Sequence, residues 1–553
     1  MKRTLSDAAA KCAERWSRVQ YGGSELVETE RAERKTVGSD ADTDIEGDSD
    51  EDLVVVGEKK VEVHVLSDSE PDIEDARPSK RIKGTDGYVP FRLIRSEAYD
   101  ESTGHTPYMA DLGDIFGDPE LREVYLFSFQ YDLSFVLRHF TTSIERITIV
   151  AQTGTIVPVS SSELTHSPQF SQIFHRLVVK EIYMPPYSCH HSKMIIGIYR
   201  NGRGVRVFLP SNNFTWAETN WPQQVLWSSP FMSISDKAVE MNGFQRSLCD
   251  YLSFYKLKEL NSLVKDTIMR TDFSGLADVE FIYSCPKTKG KNIETGLNMF
   301  LKSIEKVETE LRDVDQISLN LFLCQSSTIG GPIGRRKDNP SNLFTHVIVP
   351  TARGFSEAAK SDQQALLKAY HENKTYPCII YPCMKEIRDA SVGINSAGWF
   401  NFNYTRNDTQ LQQYDWLRNK IKVFYKYNRD YTTKQRLTTP SHTKFYLRFR
   451  MPSQSMAQGM RVPEHIDWCL FTSANLSSNA WGTLGSQPRN YEVGVMYKNS
   501  NITTKAQDSN LHCQSLQDII YRKGQRPQTR SVLFPFPSHL QPYETNDQAF
   551  YQM

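Results

Sequence analysis

The sequence has no uncharged apolar run of about 18 residues, so no membrane-spanning helix is expected. Its N-terminus also lacks the apolar run of a secretory signal peptide. The nine cysteines are scattered, and none combines with histidine at the spacing of a zinc site. Nor is there a cluster of Asp and Glu of the kind that holds two metal ions in a nuclease. These absences predict an intracellular protein with reduced thiols, no metal ion and no other cofactor.

The whole chain also lacks a net charge, but its two parts carry opposite charges. The 65 Lys+Arg balance 65 Asp+Glu, yet residues 1–76 contain 10 basic and 21 acidic side chains, so the rest of the chain carries the compensating positive charge. An acidic tail on a basic body is common among proteins that handle nucleic acid. A solvated tail on an ordinary basic enzyme would give the same pattern.

Residues 1–85 are predicted to form a disordered regulatory tail. Eight acidic residues and no basic one lie between 40 and 52, and such a segment buries too little apolar surface to fold alone. Two apolar runs flanked by acids, Leu53-Val54-Val55-Val56 and Val63-His64-Val65-Leu66, resemble SUMO-interacting motifs, which dock on a sheet edge. Chance hydrophobic runs are the alternative. The basic cluster Arg77–Lys83 predicts a nuclear protein, although such clusters also occur on solvated surfaces.

From residue 86 onward the chain is predicted to be globular and of the α/β class. Helical stretches at 247–256 and 293–310 alternate with runs rich in β-branched and aromatic residues, which predict strands. The strand-like runs are 125–129, 147–151, 194–199, 205–209, 280–283, 346–349, 445–449, 468–471 and 491–497. Asn201-Gly202 predicts a tight hairpin between two of them. A turn near Pro286 suggests a division into 86–287 and 288–553.

One pattern of chemistry-bearing residues occurs twice. His191-Ser192-Lys193 leads into a strand, and a second strand then ends in Ser211-Asn212. His442-Thr443-Lys444 likewise leads into a strand, and a second strand ends in Ser473-Ala474-Asn475. A single His-x-Lys arises often by chance, but two copies with the same strand and asparagine context are far more specific. Two unrelated surface hairpins are the alternative.

The spacing within each copy explains how the side chains converge. Residues i and i+2 of an extended segment point to the same face, so His191 projects with Lys193 and His442 projects with Lys444. If the two halves meet around a pseudo-twofold axis, two His, two Lys and two Asn surround one point. Ammonium and amide donors suit the oxygens of a phosphodiester, while one imidazole attacks phosphorus and the other protonates the leaving oxygen.

The repeated His-x-Lys resembles the phospholipase D superfamily. Most members add an aspartate five residues after the lysine, but Ile198 and Phe449 stand at those positions here. This departure is similar to the tyrosyl-DNA phosphodiesterase family, as are the segments 190–194, 472–477, 480–482 and 491–495. The resemblance covers residues 88–540 and implies two similar α-β-α sandwich halves related by a pseudo-twofold axis. It further implies hydrolysis of the 3′-phosphotyrosyl bond between DNA and a trapped topoisomerase peptide.

The resemblance also implies a role for each site residue. His191 is the nucleophile that forms a phosphohistidine, and His442 is the general acid and then the general base. Lys193, Lys444, Asn212 and Asn475 hold the phosphate oxygens. Glu492 orients the nucleophile from the opposite half, although an ordinary ion-pair residue is the alternative reading. Gln224 supports the other histidine, with its neighbour Gln223 as the competing assignment.

Contacts to DNA are suggested by three further groups. The resemblance places Tyr187 where an aromatic side chain stacks on a base. Ser326 and Ser327, together with the basic loop 330–337, are predicted to contact the DNA backbone. Trp399-Phe400-Asn401-Phe402 either lines the groove or belongs to the core. Because one chain supplies both halves, a monomer is expected.

Two rival functions remain at this stage. One is another enzyme of the superfamily, such as a phospholipase or a general nuclease; the missing motif aspartates and the basic body count against it. The other is an inactive protein that binds DNA ends; the presence of both His-Lys pairs counts against that. Whether other 3′ adducts and 5′-phosphotyrosyl ends are also processed stays open.

Overall fold

The computed structural model describes residues 88–552, except 102, 105, 238, 287–293, 315–317, 334–340, 428–437, 453–459, 500–510, 522–526 and 528–530. The two predicted SUMO-binding runs, the basic cluster 77–83, the basic residues of the loop 330–337 and the predicted division at 287/288 lie outside the described residues.

Two large sheets dominate the described chain. The strands are β1 (Phe91–Ile94), β2 (Met109–Ala110), β3 (Leu121–Phe127), β4 (Tyr131–Asp132), β5 (Arg146–Gln152), β6 (Ile156–Val157), β7 (Leu177–Ile182), β8 (Met194–Tyr199), β9 (Gly204–Pro210), β10 (Val225–Ser228), β11 (Val279–Ser284), β12 (Leu319–Gln325), β13 (Thr375–Ile380), β14 (Phe424–Tyr427), β15 (Phe445–Met451), β16 (Met460–Arg461), β17 (His465–Ile466), β18 (Trp468–Thr472), β19 (Glu492–Lys498), β20 (Leu511–Ser515), β21 (Ser531–Phe534) and β22 (His539–Pro542). The first sheet has the order β2-β1-β10-β9-β8-β3-β5-β7, and the second β11-β19-β18-β15-β12-β13-β14-β22-β16. Two smaller sheets are β17-β20-β21 and β4-β6.

Helices cover these sheets and connect their strands. The α-helices are α1 (Gly113–Phe116), α2 (Leu133–Leu137), α3 (Ser161–His166), α4 (Pro168–Phe174), α5 (Trp216–Asn220), α6 (Gly243–Ser253), α7 (Lys258–Asp266), α8 (Gly296–Val314), α9 (Val349–Arg353), α10 (Ser356–Ser361), α11 (Gln363–Glu372), α12 (Met384–Arg388), α13 (Asp408–Asp415), α14 (Ser478–Trp481) and α15 (Leu516–Tyr521). Short 3₁₀ turns span Ile268–Arg270, Ser274–Leu276 and Gly393–Ala397, and π-helical turns span Leu343–Ile348 and Trp416–Lys420. No helix of the described residues is long and apolar enough to cross a bilayer.

The largest apolar core lies between the two sheets. It joins side chains of both, for example Phe91 of β1, whose ring centroid is 6.4 Å from that of Phe445 and 5.9 Å from that of Phe471. Two further cores lie on the outer sides, one under each sheet's own helices. Strands buried on both faces read as continuous apolar runs, which is the pattern of β8 and β18. The predicted α/β architecture is confirmed.

The two halves repeat one local motif at the centre of their sheets. β8 follows the first His-x-Lys and pairs antiparallel with β9, while β15 follows the second and pairs antiparallel with β18. The hairpin predicted at Asn201-Gly202 joins β8 to β9, with φ of 56° and 72° at the two turn residues. Positive φ at both central positions is the geometry that makes Asn-Gly the favoured pair in such turns.

Two elements differ from the sequence-based expectations. The strand predicted at 346–349 is wrong, because the chain there forms a π-helical turn that runs into α9. The Asn342 side chain accepts the amide hydrogens of Phe344 and Thr345 and caps this turn; a four-residue apolar run has no periodicity that distinguishes helix from strand. The division predicted at 287/288 puts β11 in the first half, but β11 pairs with β19 in the second sheet. A turn signal shows where a strand ends, not which sheet it joins.

Candidate active site

Both His-x-Lys segments are extended and lie where the two sheets meet. Lys193 and Lys444 are buried, and each ammonium group donates a hydrogen bond to the carbonyl oxygen of its own histidine. The distances are 3.1 Å from Lys193 Nζ to His191 O and 2.7 Å from Lys444 Nζ to His442 O. The two copies therefore share one local geometry, as the repeated spacing predicted.

Backbone hydrogen bonds between the halves bring these segments together. The amide of His191 donates to Tyr491 O at 3.0 Å, and the amide of His442 donates to Gln223 O at 3.1 Å. In each contact, the residue that follows the carbonyl acceptor in the sequence lies beside the histidine. Glu492 thereby faces His191, and Gln224 rather than Gln223 faces His442. Gln223 instead bonds to the backbone of Thr439 and to Gln517.

His191 is held by a carboxylate from the other half of the molecule. Its Nδ1 lies 2.9 Å from Glu492 Oε2, and the same oxygen accepts the Ser473 hydroxyl at 2.6 Å. Because an ionised carboxylate only accepts, Nδ1 carries the proton and the Nε2 lone pair is left free. Burial lowers the pKa of His191 to about 4, and the charge of Glu492 opposes this shift. The imidazole is therefore neutral and able to attack at neutral pH.

The carboxylate of Glu492 remains ionised despite its burial. Burial raises the pKa of Glu492, but His191 and the Ser473 hydroxyl, which both bond to it, outweigh burial and lower the pKa overall. Asn490 Nδ2 also donates to its second oxygen, at 3.1 Å. The second sequence motif includes Ser473, but the sequence alone predicts no role for it.

His442 has a different partner. Gln224 Nε2 lies 3.4 Å from His442 Nδ1, and Gln224 Oε1 accepts the Ser211 hydroxyl at 2.5 Å. In the neutral ring, an amide N–H facing Nδ1 favours the tautomer whose proton is on Nε2. Burial and then the charges of Lys444 and Lys193 hold the pKa of His442 well below its usual range.

The two lysines lie close enough to repel one another. Burial lowers the pKa of Lys193 and, more strongly, that of Lys444, and the charge of Lys193 adds to the effect on Lys444. The carboxylates of Glu218 and Glu492 oppose both shifts. When both are protonated, the two buried ammonium groups form a receptacle for one phosphate group.

The two motif asparagines differ in orientation. Asn475 Oδ1 accepts from the hydroxyls of Ser326 and Ser327 and from the amide of Thr328, at 3.0–3.2 Å, which leaves its Nδ2 group for a ligand. Asn212 Nδ2 is occupied by Asn213 O and the Thr219 hydroxyl, both at 2.9 Å, while its buried Oδ1 has no hydrogen bond. Donation from Asn212 to a phosphate therefore requires its amide to turn over.

Ser326 and Ser327 are not placed as the sequence suggested. Both side chains are buried, and both hydroxyls bond to Asn475 rather than facing solvent. Their side chains therefore support a site asparagine and do not offer a surface to DNA. The Ser-Ser-Thr run gave no signal that distinguished these two uses.

The aromatic residues divide between surface and core. Tyr187 is 44% exposed and has a positive φ of 63°, so its ring is available to a ligand. Phe400 and Phe402 belong to the outer core of the second half, whereas the ring centroid of Trp399 lies 6.2 Å from that of His442. Among the residues that the structure describes, no group of His, Cys, Asp or Glu is arranged to hold a metal ion.

Comparisons with known proteins agree with this geometry. A family model described as tyrosyl-DNA phosphodiesterase matches residues 90–544. The chain is 36% identical to tyrosyl-DNA phosphodiesterase 1 of Saccharomyces cerevisiae over 566 residues, which cover 99% of this chain and 97% of the yeast protein. Tyrosyl-DNA phosphodiesterase 1 of Drosophila melanogaster is 23% identical over 84% of this chain and 73% of its own length.

The fold agrees as well. The crystal structure of the yeast tyrosyl-DNA phosphodiesterase matches with a TM-score of 0.72 and 36% sequence identity, covering 84% of this chain and 99% of that one. The match of the family model over most of the chain and the near full-length identity to the yeast protein give one conclusion. This chain belongs to the tyrosyl-DNA phosphodiesterase family.

Proposed function

We propose that this protein repairs DNA by hydrolysing the 3′-phosphotyrosyl bond between a DNA end and a topoisomerase-derived peptide, leaving a 3′-phosphate. The observation that supports this most is the unequal pair of histidines. Nδ1 of His191 is bonded to a carboxylate, whereas Nδ1 of His442 faces an amide N–H. The imidazole of His191 is thereby suited to attack, and His442 is left to transfer protons through Nε2, as hydrolysis in two displacements requires.

In the first displacement, His191 Nε2 attacks phosphorus and the bond from phosphorus to the tyrosyl oxygen breaks. The imidazolium form of His442 gives its Nε2 proton to that oxygen and becomes a neutral imidazole, so tyrosine leaves as a neutral phenol and DNA remains attached to His191. Lys193 and Lys444 stabilise the negative charge that spreads over the phosphoryl oxygens, together with the Nδ2 group of Asn475. Glu492 stabilises the charge that develops on the attacking imidazole.

In the second displacement, His442 takes a proton from water and the resulting oxygen attacks phosphorus. The bond from phosphorus to His191 Nε2 breaks, which restores the imidazole and releases DNA with a 3′-phosphate. His442 ends this step protonated, ready to act as the acid in the next turnover. The same residue thus alternates between acid and base.

The function is tested with a single-stranded oligonucleotide that carries a 3′-phosphotyrosine, in excess EDTA. We expect wild type and His166→Ala, a change at an exposed histidine of α3, to form the 3′-phosphate product, and His191→Ala to form none. Failure of the folded wild-type protein to cleave would contradict the proposal. Cleavage of phosphatidylcholine instead would identify a phospholipase, and binding of DNA ends without cleavage would identify an inactive binder.

Tyr187 is proposed to stack on a DNA base beside the nucleophile. We expect Tyr187→Ala to raise KM for the oligonucleotide with little change in kcat, by the factor that corresponds to about 1–3 kcal/mol of lost stacking. Tyr187→Phe keeps the ring and is the matched control, so it should behave like wild type. Equal KM values for the Ala and Phe variants would remove Tyr187 from the DNA-binding surface.

The N-terminal tail is proposed to direct the protein to the nucleus and to bind SUMO. The basis is its sequence alone: the basic cluster 77–83 and the apolar runs 53–56 and 63–66. Alanine at Lys80, Arg81 and Lys83 should leave a fluorescent fusion outside the nucleus. Titration of SUMO into the full chain should show binding that is lost when both apolar runs are changed to alanine. Unchanged localisation and absence of binding would contradict the respective proposals.

We also propose that the protein acts as a monomer, since both His-x-Lys segments of the site come from one chain. Light scattering of the purified protein should give the mass of a single chain, 63.5 kDa. An active dimer that loses activity on dilution would contradict this.

A further inference from the structure

Glu218 is a buried carboxylate beside His442 that the motif analysis did not identify. It lies on α5, directly after the turn that carries Asn212, and is 1% exposed. Its Oε2 lies 3.7 Å from His442 Nδ1, a distance too long for a hydrogen bond but within range of a strong charge interaction. Its two oxygens accept from the backbone amide and the side-chain amide of Asn213, at 2.6 and 2.7 Å.

The local sequence gives a simpler explanation for this glutamate, which the structure does not support. Thr215 is the N-cap of α5 and Glu218 is its third residue, which is the pattern of a capping box. In a capping box the glutamate side chain returns to the amide of the N-cap residue. Here the carboxylate bonds to Asn213 instead, so capping does not account for a carboxyl group at this depth.

When His442 carries a second proton, on Nδ1, its surroundings leave Glu218 as the group that faces that proton. Gln224 presents an N–H to His442 Nδ1, and this group complements only a ring whose Nδ1 is unprotonated. Gln224 cannot turn its oxygen toward the ring, because its Nε2 also donates to the main-chain carbonyl of Glu218, at 3.0 Å, and its Oε1 accepts from Ser211. When His442 carries both protons, its Nδ1 side needs a negatively charged partner, and the Glu218 carboxylate lies 3.7 Å away.

Glu218 also balances charge at the centre of the site. Of the charged groups that act on Lys193, Glu218 has the largest effect, and it opposes the loss of charge on Lys444 as well. Lys193, Lys444 and His191 face His442 from the two His-x-Lys segments, and each disfavours a charge on it. Glu218 is the nearest carboxylate to His442, while Glu492 serves His191.

We propose that Glu218 is the positioning residue that lets His442 exist as an imidazolium, by pairing as a carboxylate with its protonated Nδ1 side and by offsetting the two lysine charges. The inference rests on the proposed function, in which His442 is protonated before the first displacement and after the second. The halves are thus similar but not identical: His191 has one carboxylate partner, whereas the Nδ1 of His442 faces an amide when it is unprotonated and a carboxylate when it carries a proton.

The test compares Glu218→Gln with Asn213→Ala across a pH series of kcat/KM on the 3′-phosphotyrosyl oligonucleotide. Glu218→Gln removes the charge and keeps the shape, whereas Asn213→Ala removes a hydrogen bond to Glu218 and keeps the charge. Loss of the Glu218 charge makes protonated His442 less stable. The alkaline limb of the kcat/KM profile, where His442 loses its proton, should therefore move to lower pH by about one unit, which is a tenfold change in proton affinity. The acidic limb belongs to His191 and should stay in place.

Asn213→Ala should lose activity without moving either limb, and Glu218→Asp, which retains the charge, should restore part of the alkaline limb. Because the charged Glu218 also makes His442 a stronger base, Glu218→Gln should prolong the life of the covalent DNA adduct by roughly tenfold.

Superimposable pH profiles for wild type and Glu218→Gln would overturn the inference, as would an identical shift in Asn213→Ala, which would make Glu218 a purely structural residue. If Glu218→Gln does not fold, the comparison of Glu218→Asp with Asn213→Ala decides between the same outcomes. Wild-type protein that fails to cleave the substrate would contradict the proposed function instead, so the two failures are distinguishable.

Discussion

His442→Asn should convert the protein into a trap that remains covalently attached to its DNA substrate. A denaturing gel of the variant after reaction with the 3′-phosphotyrosyl oligonucleotide should show a band at the mass of protein plus DNA. Wild type should show little of it at steady state. We expect hydrolysis of the adduct to slow by about 10²- to 10⁴-fold, the usual contribution of a general base.

The adduct accumulates because the two displacements depend on His442 unequally. A tyrosyl group is a moderately good leaving group and departs without full protonation, so the first step loses less. Water is a poor nucleophile and needs a base, so the second step loses more. Asparagine keeps a polar, hydrogen-bonding side chain beside Gln224, which limits structural change at this buried position.

The double variant His191→Ala/His442→Asn is the control and should form no adduct. A His442→Asn protein that turns over slowly without any adduct would show that the second step is not the one that His442 serves. The acid and base roles would then have to be reassigned.

Glu492→Gln should lower kcat/KM by on the order of 10³-fold, through the first displacement. A glutamine side chain can present an N–H to His191 Nδ1, as Gln224 does to His442. The imidazole would then carry its proton on Nε2, the nitrogen that must attack phosphorus. The variant would also lose the negative charge that stabilises the imidazole as it becomes positive.

Ser473→Ala is the matched control, because it removes a 2.6 Å hydrogen bond to Glu492 and leaves the charge in place. We expect it to retain most of its activity, and single-turnover kinetics should assign the loss in Glu492→Gln to adduct formation. If both variants lose activity equally, the carboxylate acts only as part of a packed network. A loss confined to adduct hydrolysis would contradict the assignment of His191 as the nucleophile.

The parts of the site that depend on short-range geometry could be predicted from the sequence. An extended His-x-Lys segment puts both side chains on one face, and its repetition with a downstream asparagine indicated two equivalent halves. The strands that carry these residues are apolar throughout and bounded by turn residues, so they were found at nearly their observed positions. The tight hairpin at Asn201 was predictable because few residue pairs adopt positive φ twice.

The remaining features depend on contacts between segments that are distant in the sequence. The partner of His442 was settled by the bond between the amide of His442 and Gln223 O, which places Gln224 beside the ring. Glu218 matches a helix-cap pattern until the position of the second half is known. Ser326 and Ser327 looked like surface hydroxyls, because nothing in their sequence shows that Asn475 lies above them. β11 joins a sheet whose other strands lie later in the chain.

The most direct test of this account is to map the covalent adduct of His442→Asn by proteolysis and mass spectrometry at neutral or alkaline pH, where a phosphohistidine survives. The account predicts a single phosphoryl-nucleotide on His191, with His190 and the remaining histidines unmodified. A nucleotide attached to any other residue, or an adduct that persists when His191 is replaced, would contradict the two-histidine mechanism.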